Sequence, residues 1–155
     1  MDEYDAEIQH KGVKGWLLLL CISLTILDPA TMLLNLFIMS DIAKSLFGTN
    51  KNLFYMIFIN GIFTTGLMVF SIYAGLSLWR LAVNAVMTAK RYLKSIFIYS
   101  AITILLPYIF GVSEIHYKKF GGNNWLNSII TMCYAMIWYI YLIKSKRVKW
   151  TYKHQ

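Results

Sequence analysis

Asp28 is the one acidic residue in an apolar run from Trp16 to Met39, and Pro29 follows it at once. An ionisable side chain in a stretch of lipid-spanning length is costly, and such residues carry protons or cations, pair with a ligand, or serve structure. Three readings are open. Asp28 could hold a proton or cation. It could cap backbone N–H groups at a kink, because Asp-Pro reads as an N-cap and first helical position and Gly48 reads as the stop. That reading divides the run into a first helix ending near Leu27 and a second from Pro29 to about Phe47. Or it could lie in a polar outer vestibule. Helical rise puts Asp28 about 12 Å below the outer face, with Asn60 at about 9–10 Å and Thr64 at about 15 Å. Thr131 falls in the same half. Asp28, Asn60, Thr64 and Thr131 are thus a candidate intramembrane polar layer, for transport or for ordinary interhelical hydrogen bonds.

Other chemistry is sparse. His10, His116 and His154 lie outside the apolar runs, and no spacing of His, Cys, Asp or Glu forms a metal set. Cys21 and Cys133 are expected to be unpaired packing residues. There is no zinc-protease, serine-hydrolase, phosphate-loop or dinucleotide motif. We expect no catalytic residue, no cofactor and no bound metal, and hence a non-enzymatic protein.

The elements that must position Asp28 are set by composition. Of 155 residues, 58% are hydrophobic and 14% charged, against about 25% charged in an average globular protein. Mean hydropathy is +0.54. A soluble domain could not cover its core with so little polar surface. Four continuous apolar runs, residues 16–39, 53–79, 95–112 and 125–143, are each long enough to span a bilayer as a helix. They lack the alternation of a membrane β-barrel. Short connections, Ser40–Asn52, Arg80–Lys94 and Ser113–Asn124, favour antiparallel neighbours. The expected fold is an all-α integral membrane bundle of four antiparallel helices, the first kinked at Asp28-Pro29, in one domain over residues 1–155 with tails at 1–14 and 144–155. Within span 2, Ser71 and Gly75 form a small-xxx-small pair with Gly61 and Gly66 nearby, a pattern suited to close helix contact. The tyrosines and tryptophans deep in the runs read as packing.

Charge sets orientation. Lys plus Arg number 15 against 7 acids, a net charge of +8. One side of the bundle would carry eleven basic residues and the other only Lys44, Lys51, Lys118 and Lys119. Basic residues stay in the cytoplasm, so both termini are expected there. The chain leaves span 4 through Lys144, Lys146, Arg147, Lys149 and Lys153, with Trp150 and Tyr152 interleaved. This stretch is a candidate docking tail for anionic lipid head groups or a partner, or a topology signal alone. Nucleic acid is not expected as a partner.

The two ends of the chain carry a resemblance. Lys11-Gly12-Val13-Lys14-Gly15-Trp16-Leu17-Leu18 leads into span 1, and Lys144-Ser145-Lys146-Arg147-Val148-Lys149-Trp150-Thr151-Tyr152 leaves span 4. With four spans in about this length, the chain resembles a bacterial membrane family named domain of unknown function 2569. Lys14 stands where the family pattern has a small residue. The resemblance implies an inner-membrane protein and implies no activity. Two functions are therefore expected: a small assembly or accessory subunit, joining copies of itself or a larger membrane complex, and an oligomeric ion, proton or small-solute transport unit built on the Asp28 layer.

Overall fold

The computed structural model describes residues 13–46, 51–109, 111 and 124–152. Regular structure among them is entirely helical. Helix α1 (Trp16–Ile22) enters a π-helical turn (Ser23–Leu27) and continues as α2 (Asp28–Leu46); α3 is Lys51–Trp79, α4 Ala85–Ile109, α5 Asn124–Lys144 and α6 Lys146–Thr151. Four stretches are long and apolar enough to cross a membrane: Trp16–Lys44, Lys51–Trp79, Ala85–Ile109 and Trp125–Lys144. The fold is the expected four-helix membrane bundle, and its first helix is made of joined pieces.

The joint follows from Pro29. The Asp28 backbone N–H reaches back to the Ser23 carbonyl, five residues away, in place of Leu24 four away. The next residue is proline and has no N–H. Leu24 therefore has no backbone donor in either register. The Ser71 hydroxyl on α3 supplies one, donating to the Leu24 carbonyl at 2.8 Å across a fully buried contact. Gly75 makes that approach feasible: a Cβ there would lie 2.5 Å from Thr25 Cγ2 and 3.0 Å from the Thr25 backbone nitrogen. The expected Ser71–Gly75 contact face is thus occupied by the π turn, while Gly66 meets nothing within 4 Å.

Two expectations are corrected. Asp28 is not an N-cap, and the helix does not stop at Leu27. Asp28 has helical angles, φ −62° and ψ −50°, because one surplus residue carries the ladder past the missing proline donor without ending it. Nor is Arg80–Lys94 a loop. Only residues 80–84 separate α3 from α4, turning through Leu81 (φ 48°) and Asn84 (φ 64°). Lys90, Arg91 and Lys94 ride on the first turns of α4. Charge moves a helix out of lipid but does not break it, and Lys and Arg are good helix formers.

The bundle has two ends. At the near end, where the chain enters α1 and leaves α5, the main core gathers Leu17, Leu20, Leu24, Leu78, Tyr92 and Leu142, none more than 2% exposed. At the far end a smaller cluster joins Leu53, Met56 and Ile57 of α3 to Leu106 of α4. The stretch after α5 is folded onto the near end. Ser145 caps α6 by accepting from the Val148 N–H, Val148 is buried, and the Tyr152 hydroxyl donates to the Leu78 carbonyl at 2.8 Å. Burial pushes the Tyr152 phenol up, so it remains a donor. The two terminal motifs also meet: the Arg147 guanidinium lies 3.2 Å from where a Cβ on Gly15 would be, and Gly15 sits at φ 60°, open to glycine at little cost.

Candidate functional site

Asp28 opens the first turn of α2, directly above the π turn. Its two carboxylate oxygens go to two different helices. The Tyr92 hydroxyl of α4 donates to Oδ2 at 2.9 Å, and the Tyr134 hydroxyl of α5 donates to Oδ1 at 3.0 Å. Each tyrosine is held by an edge-on aromatic neighbour. Tyr92 meets Phe70 at 5.7 Å between ring centroids, and Tyr134 meets Trp138 at 6.3 Å. A carboxylate with no Lys, Arg or His among the described residues around its cavity is thereby supported by two neutral donors.

A second node lies on the far side of the same space. The Tyr99 hydroxyl of α4 donates to Asn60 Oδ1 and lies 2.8 Å from the Thr64 hydroxyl, both on α3. Tyr92 and Tyr99 are seven residues apart, two turns along one face of α4. Every fully buried side-chain nitrogen or oxygen among the described residues has a hydrogen-bond partner.

Between the nodes lies a cavity of about 470 Å³ with walls from all four spanning helices. Of the helices around it, α2 and α5 pack little against each other directly, whereas α2–α3, α3–α4 and α4–α5 are in close contact. Asp28, Asn60, Thr64 and Thr131 all line it. The four-residue layer expected from helical rise is therefore brought to one space, although its members do not bond to one another. Asp28 takes Tyr92 and Tyr134, Asn60 and Thr64 take Tyr99, and the Thr131 hydroxyl donates to the Asn127 carbonyl of its own helix at 2.9 Å.

The hydroxyls give the cavity a polarity. Thr31 donates to the Asp28 carbonyl, Ser100 to Ile96, Thr103 to Tyr99 and Thr131 to Asn127. A hydroxyl has one proton and two lone pairs, so each of these has spent its proton on backbone and can offer only acceptors to a guest. Among the described lining residues there is one carboxylate and no Lys, Arg or His. The amides of Asn35, Asn60 and Asn127 add donors as well as acceptors to the lining, so the net bias toward a cation rests on the Asp28 carboxylate. Elsewhere the described residues hold no group of three His, Cys, Asp or Glu side chains fit for a metal. Both cysteines are free thiols; Cys21 is buried and packs as expected, whereas Cys133 is exposed on α5 and does not.

A family model described as "Protein of unknown function (DUF2569)" matches residues 10–153, nearly the whole chain. The chain belongs to the DUF2569 family. The match spans both terminal motifs, which the fold brings together at Gly15 and Arg147. Membership makes it a bacterial multi-pass membrane protein and brings no activity with it. No match was found among curated proteins or among solved structures.

Sequence reasoning missed the tyrosines. Tyr99 and Tyr134, inside the apolar runs, read as packing, and Tyr92 fell in the expected connection Arg80–Lys94, but their hydroxyls complete both nodes. A signal was present, since polar residues recur every three to four positions within apolar runs: Asp28-Thr31-Asn35, Asn60-Thr64, Tyr99-Thr103 and Asn127-Thr131-Tyr134. Of the candidate docking residues, Lys144 closes α5 and Lys146, Arg147 and Lys149 lie on α6; Arg147 is half-buried against Gly15, while Lys144, Lys146 and Lys149 are exposed. Lys153 and the three histidines lie outside the described residues.

Proposed function

We propose that this chain is a transport unit that takes a small cationic species, a monovalent cation or a protonated amine, into the Asp28 cavity. The carrying observation is that Asp28 faces a space shared with Asn60 and Thr131 and is not sealed against its own backbone at Pro29. The volume, about 470 Å³, falls in the usual range for small-molecule sites, about 300–1,000 Å³. A single carboxylate, with the Thr31, Ser100, Thr103 and Thr131 hydroxyls spending their protons on backbone, supports a cationic guest. The accessory-subunit reading rests on small size, the absence of catalytic motifs and a basic tail, and none of these accounts for a polar cavity around Asp28. Transport is also a non-enzymatic role, in keeping with the lack of catalytic motifs.

The reading includes an orientation and an assembly. Nine basic residues cluster at the described near end, from Lys14 to Lys149, against Lys44 and Lys51 at the far end. This supports a cytoplasmic near end in the inner membrane, with the cavity on the periplasmic side. A cytoplasm-active reporter fused after Gln155 is expected to be active, and a periplasm-active one silent. Self-association, or joining a larger complex, is read from native mass spectrometry of the purified protein.

The deciding experiment is flux into proteoliposomes with sodium, potassium, protons and methylammonium as probes. Asp28→Asn keeps the shape and one acceptor but removes the charge. It is expected to abolish the flux seen with the unmodified chain while melting within a few degrees of it. If Asp28→Asn keeps every flux and cellular phenotype, the transport reading falls.

A further inference from the structure

We propose that a second site, at the near end, binds the head group of one anionic phospholipid, its phosphate held between Lys90 and Lys149. It does not depend on the cavity reading, because it lies on a different face and is tested without flux.

The site is an open groove of about 420 Å³ where the start of α4, the end of α5 and α6 come together. Lys90 reaches it from α4 and Lys149 from α6. Asn84 and Tyr152 add polar rim, and the lining contains no acidic residue. The ion pair found among the described residues, Lys44 with Asp41, is at the opposite end of the bundle. The floor is apolar and closed: Leu142 is 2% and Val148 3% exposed. From the floor an apolar strip continues through Met87 and Ile143, 50% and 44% exposed, toward the lipid-facing surface.

Cations above and an open hydrocarbon strip below match an amphiphile. A soluble phosphate would use the lysines and leave the strip wet. The level is also right. The groove sits where the apolar length of α5 ends at Lys144 and where α4 carries its cationic first turns. Basic pockets between membrane helices at this level hold anionic head groups, and lysine stems lie along apolar surface while their ammonium groups reach the phosphates. Lys149 is in place because α6 is pinned, by Val148 beneath it and by the Tyr152 hydroxyl on Leu78. The groove thereby gives the packed-down α6 a task that a topology signal would not need.

The test is native mass spectrometry of the full chain in mild detergent, with dioleoylphosphatidylglycerol or dioleoylphosphatidylcholine added. The unmodified protein is expected to retain one phosphatidylglycerol and little phosphatidylcholine. Lys90→Gln with Lys149→Gln should weaken phosphatidylglycerol retention about thirtyfold and leave phosphatidylcholine unchanged. Each single change should weaken it about fivefold, which keeps the test alive if the pair fails to fold. Lys144→Gln with Lys146→Gln, at the same end but outside the groove, should retain lipid as the unmodified chain does. Tyr152→Phe, which unpins α6, should fall between. The proposal is overturned if the groove variants retain phosphatidylglycerol normally, if the Lys144 and Lys146 control loses as much, or if millimolar inorganic phosphate displaces the lipid.

Discussion

The near and far halves of this bundle are built from the same four helices and solve opposite problems. In the near half, small side chains let large ones close the space: Ala74, Gly75, Ala85, Ala89 and Ala135 are buried among Leu17, Leu20, Leu78 and Trp138. In the far half, polar side chains on the facing stripes keep α2 and α5 apart, and a cavity remains. The boundary is a single layer, with Asp28 taking Tyr92 and Tyr134 just above the π turn. Membrane helices gain little from apolar contact with one another, since lipid is equally apolar. Close steric fit seals one half, and its absence leaves the other open. Under the proposed transport reading, a guest in the cavity would meet a closed near half below Asp28, and passage would require that half to open.

The sharpest way to break the contrast is to spoil the fit. Gly75→Leu would drive a side chain into Thr25 and the π turn, where even a Cβ is too close. Overpacking typically costs about 1–3 kcal/mol and more where backbone is struck, so this variant is expected to lose most folded protein in size-exclusion and melting assays. Gly66→Leu, in open space on the same helix, is expected to stay within about 0.5 kcal/mol of the original. Equal damage at both positions would mean that the near half is not the tighter one.

The boundary layer comes next. Asp28→Ala leaves the hydroxyls of Tyr92 and Tyr134 without their acceptor, and each stranded buried group costs about 1–3 kcal/mol. A fall in melting temperature of several degrees is expected for Ala. A fall as large for Asn would point to the charge itself as the stabilising element.

How much of this could be read in advance depends on what each feature needs. Hydropathy is a one-dimensional property, so the four spans were visible. Depth along a helix is one-dimensional too, which is why Asp28, Asn60, Thr64 and Thr131 could be grouped before their shared cavity was seen. Rotation about each axis is not, and the tyrosine partners depend on it: Tyr92 and Tyr134 lie 64 and 106 residues from Asp28. The π turn was hidden for another reason. Pro29 announces a missing donor, but a break, a cap and an inserted residue all answer that signal. What selects the insertion is Ser71, 47 residues away, which satisfies the carbonyl left over.

A smaller loss than that of Asp28→Ala is expected in the far half. Tyr99→Phe removes the hydroxyl that joins Asn60 to Thr64, for about 1 kcal/mol, because an open cavity lets water replace it. Melting should shift slightly, while the near half, followed by Trp138 fluorescence, should not change. A loss as large as that of Asp28→Ala would show that the far node also supports the seal.

The π turn also sets a phase. One residue of an α-helix is about 100° of rotation, so a single surplus residue between Ser23 and Leu27 offsets the face below it from the face above by about that angle. Leu17, Leu20 and Leu24 are timed to the near core; Asp28, Thr31 and Asn35 are timed to the cavity. A one-residue deletion anywhere in the turn would give a straighter and more regular helix. It would also swing all three polar side chains out of step together, as a shaft loses its timing when a key is cut from it.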